Sequence, residues 1–420
     1  MENVQATRDT SQITLSGIQY DALVLDARLR QSLATVRSLG SRGMHVAALE
    51  TFDTAPTFSS RWCEQKFVCP ASEGTPEYLA YLKQVLEATG ARVLISCSDG
   101  TIALIRQHRQ QLEQRTHIAL AKESALGIAI NKEQTLEIAK RLGVRIPHAI
   151  TIGRVDEVET ALREIGLPAV IKPVESWAGD KHRGVRIVSE LVTTPEEARC
   201  AVETLTRFGG TVLFQQYLLG RRESLSFFYA NGKMYARYAF WGQRTEPPLG
   251  GTYVLRQSIA LPPDTGKQAE RLVREIGLEG YSQVEFRRDS AGTPYLMEIN
   301  PRLNLAIETP IRAGVDFPYL LYQWARGESL EEVKSYRIGT RMRYLAGDIL
   351  TTAASVRQPG RPGIASPARA IFDFFLSFFV PTRYDYLDLK DPLPAWVATK
   401  GFVRFALRLI RREIWKKKLQ

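Results

Sequence analysis

Short apolar runs alternate with segments of helical periodicity over the first third of the chain. The predicted strands lie at 22–25, 45–49 and 92–96, and the predicted helices lie between and after them at 31–42, 77–89 and 102–114. Strands that alternate with helices are typical of a parallel sheet that is covered on both faces. The pattern therefore predicts an α/β domain over residues 21–125, which follows a polar, mobile leader at 1–20.

A smaller α/β unit is predicted next. Asn131 can cap a helix that ends at Leu142, because Gly143 and then Pro147 stop the helical pattern. The segments predicted after it are helix 157–165, strands 169–172 and 185–188, helix 195–207 and strand 212–216. Two of these strands flank the loop 175–184, which combines glycines with Lys181, His182 and Arg183. Such a loop can bind phosphates through backbone N–H groups and cations, and an ordinary polar hairpin loop is the alternative.

The segment 281–302, YSQVEFRRDSAGTPYLMEINPR, predicts two strands joined by a turn. Side chains at i and i+2 of a strand share a face, so Glu298 and Asn300 point together and the partner strand can bring Glu285 beside them. Two carboxylates and an amide oxygen suit a hard divalent cation, and Mg²⁺ takes its remaining ligands from water and phosphates. A solvated acidic hairpin is the alternative interpretation.

Two further charged residues stand at the ends of apolar strands. Lys172 ends the run Pro-Ala-Val-Ile, where a lysine is costly unless an anion such as a nucleotide phosphate binds it. Glu223 opens the alternating run 224–229 and could accept hydrogen bonds from a ribose. A surface salt bridge is the alternative for Glu223.

In this order, the segments resemble the ATP-grasp superfamily over about residues 20–330, and E-I-N-P-R at 298–302 is the most diagnostic of them. The resemblance implies an α/β fold with an α+β ATP-grasp core. Its parts would be a Rossmann-like pre-ATP-grasp domain at 21–125 and an ATP-grasp domain at 126–335 with a lid at about 150–215.

The resemblance also implies site residues and cofactors. Contacts with ATP are implied for Lys132, Lys172, Ser176, Gly179, Gly184, Gln215, Gln216, Tyr217 and Glu223. Magnesium ligation is implied for Glu285, Glu298 and Asn300, and contact with the transferred phosphate for Arg302. The expected cofactors are ATP and two Mg²⁺ ions, with Mn²⁺ as an alternative metal.

The implied reaction is ADP-forming ligation, in which a substrate carboxylate becomes an acyl-phosphate and an amine displaces the phosphate. Phosphoryl transfer of this kind needs mainly positioning and neutralisation of charge. The alternatives are an enzyme that activates bicarbonate, as carboxylases do, and a non-catalytic nucleotide-binding scaffold that is recruited to a membrane.

The chain departs from the family pattern at three places. The phosphate loop has few glycines, for which the charge of Lys181 can compensate, and Gln215 stands where a glutamate is common in the hinge. Asn304-Leu305-Ala306 replaces a glycine-rich turn. We expect a loop at 243–257 near the reactive centre, where Arg256 could bind a substrate carboxylate, and a structural loop is the alternative.

Charge is concentrated at the end of the chain. Residues 337–420 carry 16 Lys and Arg against 6 Asp and Glu, which is +10 of the total net charge of +11. A nucleic-acid-binding surface would spread this charge over the fold, so nucleic acid is not an expected partner. The polar leader has no secretory h-region, no apolar run is long enough to span a bilayer, and the four cysteines have no metal-site spacing, which together favour the cytoplasm.

A basic extension is predicted at 336–420, with a Pro- and Gly-rich linker at 355–367 and an aromatic segment at 370–380. The segment 394–420 predicts an amphipathic helix whose apolar face is opposite to a basic one. Such helices suit the anionic inner surface of a membrane, and packing on the enzyme is the alternative. The expected partners are therefore small-molecule carboxylate and amine substrates, with peripheral membrane contact in addition, while the oligomeric state stays open.

Overall fold

A parallel sheet with helices on both faces forms the N-terminal part of the computed structural model, which describes residues 18–179, 184–207, 209–361 and 363–419. Its strand order is β3-β2-β1-β4-β5. The strands are β1 (Ala22–Val24), β2 (Val46–Glu50), β3 (Gln65–Val68), β4 (Val93–Ile95) and β5 (His117–Ile118). The helices are α1 (Arg30–Gly40), α2 (Pro76–Thr89), α3 (Asp99–Gln107), α4 (Arg109–Glu113), α5 (Glu123–Ile130) and α6 (Lys132–Arg141). The apolar strands are buried on both faces, as a covered parallel sheet requires.

A smaller four-stranded antiparallel sheet of order β10-β7-β11-β6 follows, with α7 and α8 packed on one face. Its elements are β6 (Ala149–Ile152), α7 (Val158–Ile165), β7 (Ala169–Pro173), β8 (Trp177–Gly179), β9 (Gly184–Arg186), β10 (Glu190–Val192), α8 (Pro195–Thr206) and β11 (Val212–Gln216). Strands β8 and β9 form a separate hairpin, in which Gly179 pairs with Gly184. Ile171 and Phe214 lie in the core under the helices, so their neighbours Lys172, Leu213 and Gln215 point to the opposite face.

The third sheet has seven strands in the order β16-β15-β12-β13-β14-β17-β18. They are β12 (Arg222–Ala230), β13 (Lys233–Glu246), β14 (Thr252–Ile259), β15 (Gly280–Arg288), β16 (Pro294–Asn300), β17 (Arg341–Arg343) and β18 (Arg383–Tyr384). Helix α9 (Pro263–Ile276) packs on one face of β12 and β15, and α10 (Glu308–Ala313) and α11 (Phe317–Ala325) follow β16. We call the face that is turned away from α9 the front face.

The C-terminal extension contains α12 (Leu345–Arg357), α13 (Pro367–Leu376) and the long α14 (Leu393–Leu419). It is tied to the rest of the fold because β17 and β18 complete the large sheet. Within the part of the chain that the structure describes, no helix is both long enough and apolar enough to cross a bilayer.

The predicted α/β fold class, with a parallel sheet in the N-terminal part and a helical extension at the C-terminal end, is confirmed. Two predictions of local structure are wrong. Residues 243–257 lie mostly in β13 and β14, with only a short connection at 247–251, and the helix predicted at 102–114 is divided at His108 into α3 and α4. Most of the predicted leader, together with Lys181, lies outside the described residues.

Candidate functional site

The front face of the large sheet brings the predicted metal ligands together. Glu285 of β15 lies directly opposite Glu298 of β16, and Asn300 follows two residues later on the same face. The Asn300 amide nitrogen lies 3.4 Å from the Glu298 Oε1 atom, and the Tyr253 hydroxyl donates to the Glu285 Oε2 atom at 2.9 Å. The hairpin thus presents two carboxylates and an amide, an oxygen donor set that suits Mg²⁺.

Two lysines face these carboxylates. Burial lowers the pKa of Lys172 to about 8, an effect that Glu298 partly opposes and that Lys132 and Arg222 reinforce. Burial would raise the pKa of Glu298, but Lys132 and Lys172 outweigh it and hold that pKa below its ordinary value. Burial raises the pKa of Glu285. Lys172, Glu298 and Glu285 are therefore close enough to set one another's charge, and Glu298 is the more readily ionised carboxylate.

The buried charge on this face fits a polyanion with bound metal. Three cations, Lys132, Lys172 and Arg222, oppose two carboxylates, and the Arg222 Nη1 atom is buried without a hydrogen-bond partner. Gln215 is 0 % exposed on the face that carries Lys172, and neither of its amide atoms has a partner. Buried polar groups are normally hydrogen-bonded, so these atoms suit a ligand with both donors and acceptors, such as a purine base.

A cavity of about 630 Å³ opens beside the metal ligands. Glu298, Asn300, Lys132 and Ser176 line one end, and the Lys132 ammonium donates to the Ser176 hydroxyl at 3.0 Å. The rest of its lining comes from the N-terminal domain and the loop after β7, and includes Gly74, Asp99, Gly100, Arg106, Glu123, Glu175 and Trp177. Two of the predicted ATP-contacting residues, Lys132 and Ser176, therefore border a space of a size that suits a small-molecule ligand.

The loop that carries β8 lies closed against the N-terminal domain. A Cβ atom at Gly100 would come within 2.5 Å of the Trp177 ring, so only glycine there leaves room for the ring. Arg186 of β9 lies 3.6 Å from Asp99. Asp99 also binds Arg302 through two contacts, of 2.5 and 3.1 Å. Asp99, which lines the cavity, thus fixes the orientation of Arg302.

Glu223 lies on the wrong face for the predicted ribose contact. It pairs with Phe286, next to Glu285 in β15, so its side chain points toward α9 and not toward the front face. Arg288 donates to both Glu223 oxygens, at 2.8 and 3.0 Å, and Thr265 of α9 donates at 3.3 Å. The surface salt bridge that the sequence left as the alternative is in fact a buried one.

The side chains of the three residues predicted as the hinge do not all lie on the front face either. Gln216 is exposed, and it alternates with Gln215, so its side chain lies on the other face of β11. Tyr217 is buried beside the front face, with its ring centroid 4.9 Å from the Arg287 guanidinium carbon. Of the three predicted hinge side chains, Gln215 and Tyr217 therefore lie on or beside the front face, and Gln216 does not.

Arg256 is not available to a substrate. It is 0 % exposed, and its guanidinium binds both Asp385 carboxylate oxygens and the Thr309 hydroxyl. Asp385 directly follows β18 in the C-terminal extension, so Arg256 holds that extension against the sheet. The predicted acceptor role is therefore wrong, because Arg256 is fully buried and each of its guanidinium nitrogens already has a partner within the fold.

Arg222 and Asp99 are the residues that sequence reasoning missed. Arg222 lies on the front face, with its Nη2 atom 3.4 Å from the Glu285 Oε2 atom and its guanidinium carbon 4.8 Å from the Tyr253 ring centroid. The alternation of β12 would have indicated Arg222 if its register with β15 had been known. Asp99 is the first residue of α3, whose cap is Ser98, so its side chain is left to bind Arg302.

Known proteins resemble both the sequence and the fold. The family model described as an ATP-grasp in the biosynthetic pathway with Ter operon matches residues 212–347. A D-alanine–D-alanine ligase of Gloeobacter violaceus is 27% identical over 221 residues, which cover 47% of this chain and 68% of that enzyme.

Two solved structures extend the likeness to most of the chain. The Campylobacter jejuni biotin carboxylase in its β-γ-ATP complex superposes with a TM-score of 0.61 at 16% identity and covers 77% of this chain and 75% of its own. The Bacillus licheniformis L-amino acid ligase gives a TM-score of 0.55 at 17% identity, with 73% and 74% covered. The matched family model, these relatives and the shared fold together indicate an ATP-grasp enzyme that ligates a carboxylate to an amine and forms ADP.

Proposed function

We propose that this ligase transfers the γ-phosphate of ATP to a small-molecule carboxylate and joins the activated acyl group to a small-molecule amine. The observation that carries the proposal is the continuity of the cavity. Glu298, Asn300 and Lys132 border the same space as Asp99 and Arg106 of the N-terminal domain, so phosphates and an acyl acceptor can meet there. Both signs of charge line this space, which suits substrates that carry an amine and a carboxylate.

Each front-face group has a proposed role. Glu285, Glu298 and Asn300 would hold Mg²⁺, with two ions as the proposed number and Mn²⁺ as a substitute, and the metal would neutralise phosphate charge during transfer. Lys132 and Lys172 would bind phosphate oxygens. Further proposed nucleotide contacts are Gln215 and Tyr217 for the base, Arg222 for phosphate or ribose oxygens, and Ser176, Gly179 and Gly184 for the phosphate loop.

The reaction proceeds in two displacements in this proposal. A carboxylate oxygen attacks the γ-phosphorus and the bond to ADP breaks, which gives an acyl-phosphate. The amine nitrogen then attacks the acyl carbon, the bond to phosphate breaks, and the amine proton leaves with phosphate or solvent. Arg302 is fixed by Asp99 and would steady the transferred phosphoryl group. No side-chain nucleophile takes part, and catalysis comes from orientation and fixed positive charge.

The proposal places the enzyme in the cytoplasm, where ATP is available, with its extension in contact with a membrane surface. The proposed substrates are small molecules, because the cavity volume suits ligands of that size.

ADP release tests the function. The purified chain, MgATP and a panel of amino acids and other small carboxylates should release ADP with a matching amine, and hydroxylamine should trap the acyl-phosphate as a hydroxamate. Glu298→Gln should abolish both signals, while Glu308→Gln, a buried glutamate of α10 bound to Arg312, should retain them. ADP release driven by bicarbonate alone, with no hydroxamate from any carboxylate, would replace this proposal with a carboxylase-type activity.

A further inference from the structure

Helix α13 packs on the enzyme through its polar positions. Arg244 donates to the Asp373 carbonyl at 3.1 Å and to the Ser377 hydroxyl at 2.9 Å. Arg343 donates to the Phe374 carbonyl at 3.0 Å, and its guanidinium carbon lies 4.5 Å from the Phe374 ring centroid. The side of α13 that faces the sheet is therefore held by arginines, and Phe374 is its aromatic contact.

The opposite side of α13 is apolar and points outward. Positions three and four apart share a helix face, and the exposed residues follow that spacing through the turn after the helix. We call them the α13 surface: Ile371, Phe372, Phe375, Leu376 and Phe379. Phe379 is 84 % exposed, and Phe372 and Phe375 are more than half exposed. A soluble helix normally buries its apolar side, so this orientation is inverted, and such patches mark interaction sites.

Three acidic groups of the extension point inward. Asp385 binds Arg256 and Arg30, Asp388 binds Arg312, and Asp391 binds Arg37. These carboxylates are used to anchor the extension on α1, α10 and the large sheet. The outer side is therefore left with cations, namely the exposed Arg383, Lys390, Lys400, Arg404 and Arg408.

Apolar side chains continue among these cations. Leu389 is 90 % exposed next to Lys390, and Leu393 and Trp396 at the start of α14 are exposed as well. Along α14 itself, exposed apolar residues occur on more than one side, for example Val403 and Phe405, whereas the exposed apolar residues of α13 lie on a single side. The predicted basic helix thus contributes charge, and the α13 surface contributes the ordered apolar contact.

We propose that the α13 surface inserts into an anionic phospholipid bilayer, with the flanking cations bound to lipid headgroups. Aromatic and aliphatic side chains on one side of a helix, with exposed lysines and arginines in the segment that follows it, suit the boundary between acyl chains and anionic headgroups. The positive charge selects a lipid surface over a second copy of this chain, because two such surfaces would repel one another. This inference does not depend on the proposed reaction.

Vesicle co-sedimentation of the full chain tests the inference, with vesicles of phosphatidylcholine alone and of phosphatidylcholine mixed with phosphatidylglycerol. We expect binding to the mixed vesicles only. The triple variant F372S/F375S/F379S should lower the apparent affinity by at least about tenfold, because three large apolar side chains no longer insert. The variant R383Q/K390Q/K400Q should lower it by about a hundredfold, and added salt should reproduce that loss.

A matched control is the variant F52S/V188S/I338S, which removes three exposed apolar residues elsewhere and should bind vesicles as the wild type does. Because all substituted residues are exposed, thermal unfolding should be unchanged in each variant. Equal vesicle binding by the wild type and F372S/F375S/F379S would overturn the inference. So would a wild-type dimer that this triple variant converts to a monomer, because the α13 surface would then be an interface between copies.

Discussion

Two clusters of buried charge in this protein differ in how completely they are paired. In the anchor cluster, Asp385 is bound by Arg256 and Arg30, and Arg37 donates to both the side chain and the backbone of Asp391 at 2.9 and 2.8 Å. In the front-face cluster, the contact between Arg222 and Glu285 is 3.4 Å long, and Lys172 has a displaced pKa. In the first cluster an arginine pairs with each carboxylate, and one donor, the Arg37 Nη1 atom, has no partner among the described residues. The second has cations in excess, and this distinguishes a binding site from a structural ion pair.

The largest effect is expected from breaking the anchor cluster. Asp385→Asn leaves two arginines in a buried position without a counter-charge, which costs on the order of 3–5 kcal/mol of unfolding free energy. Urea unfolding followed by circular dichroism measures the loss. Asp388→Asn is the control, because the Asp388–Arg312 pair is partly exposed and should cost about 1 kcal/mol or less. Equal losses for the two variants would show that burial of the anchor cluster does not matter.

A smaller loss, seen in activity and not in stability, is expected at the front face. Lys172→Met removes a fixed positive charge from the phosphates and should lower kcat/KM for ATP by about a hundredfold. Its unfolding midpoint should stay at or above that of the wild type, since a buried, incompletely paired charge is removed. Steady-state ADP release and urea unfolding test the two statements together. A stable variant with wild-type kcat/KM would remove Lys172 from the site.

A third variant addresses the arginine that the sequence did not reveal. Arg222→Gln should weaken nucleotide binding by about tenfold, as expected for the loss of a hydrogen bond to a charged group. Isothermal titration calorimetry with MgADP gives the affinity. Arg288→Gln is the matched control on the opposite face, and it should leave the affinity unchanged while it lowers stability. The reverse pattern would place the nucleotide on the α9 face.

The smallest effect is a proton taken up on binding. Because burial lowers the pKa of Lys172 from 10.5 to about 8, the free protein holds it increasingly neutral above pH 8, and a bound phosphate restores the charge. Affinity for ATP should therefore fall as the pH rises through 8. The apo protein should gain stability between pH 8 and 10.5, since the unfolded chain then binds the extra proton. Calorimetry at pH 8.5 in buffers of different ionisation enthalpy should show uptake that Lys172→Arg abolishes.

The hairpin that carries Glu285, Glu298 and Asn300 could be predicted because its geometry depends on residues that are close in sequence. Period-two alternation and a short turn are enough to place Glu298 and Asn300 together and to bring Glu285 opposite them. Sequence reasoning failed where geometry depends on distant segments. The face of Glu223 follows from the register of β12 against β15, and the partner of Arg256 lies 129 residues further along the chain. Neither the strand register nor the long-range pairing can be predicted from the residues around those positions.

The C-terminal extension shows the same limit of prediction from the sequence. Its charge and apolar content could be read from the sequence, but the inverted orientation of α13 depends on Arg244 and Arg343, which belong to β13 and β17. A helical pattern alone cannot say which side faces the protein when both sides carry large apolar residues.

The central claim is that the front face binds the metal–nucleotide complex, and calorimetric titration of MgATP into two glutamate variants tests it most directly. Glu298→Gln removes a front-face carboxylate of β16. Glu223→Gln removes a buried carboxylate on the opposite face of β12, and β15 lies between these two strands. The account predicts that Glu298→Gln loses the magnesium dependence of binding, while Glu223→Gln binds MgATP as the wild type does. Wild-type binding by Glu298→Gln together with lost binding by Glu223→Gln would contradict it.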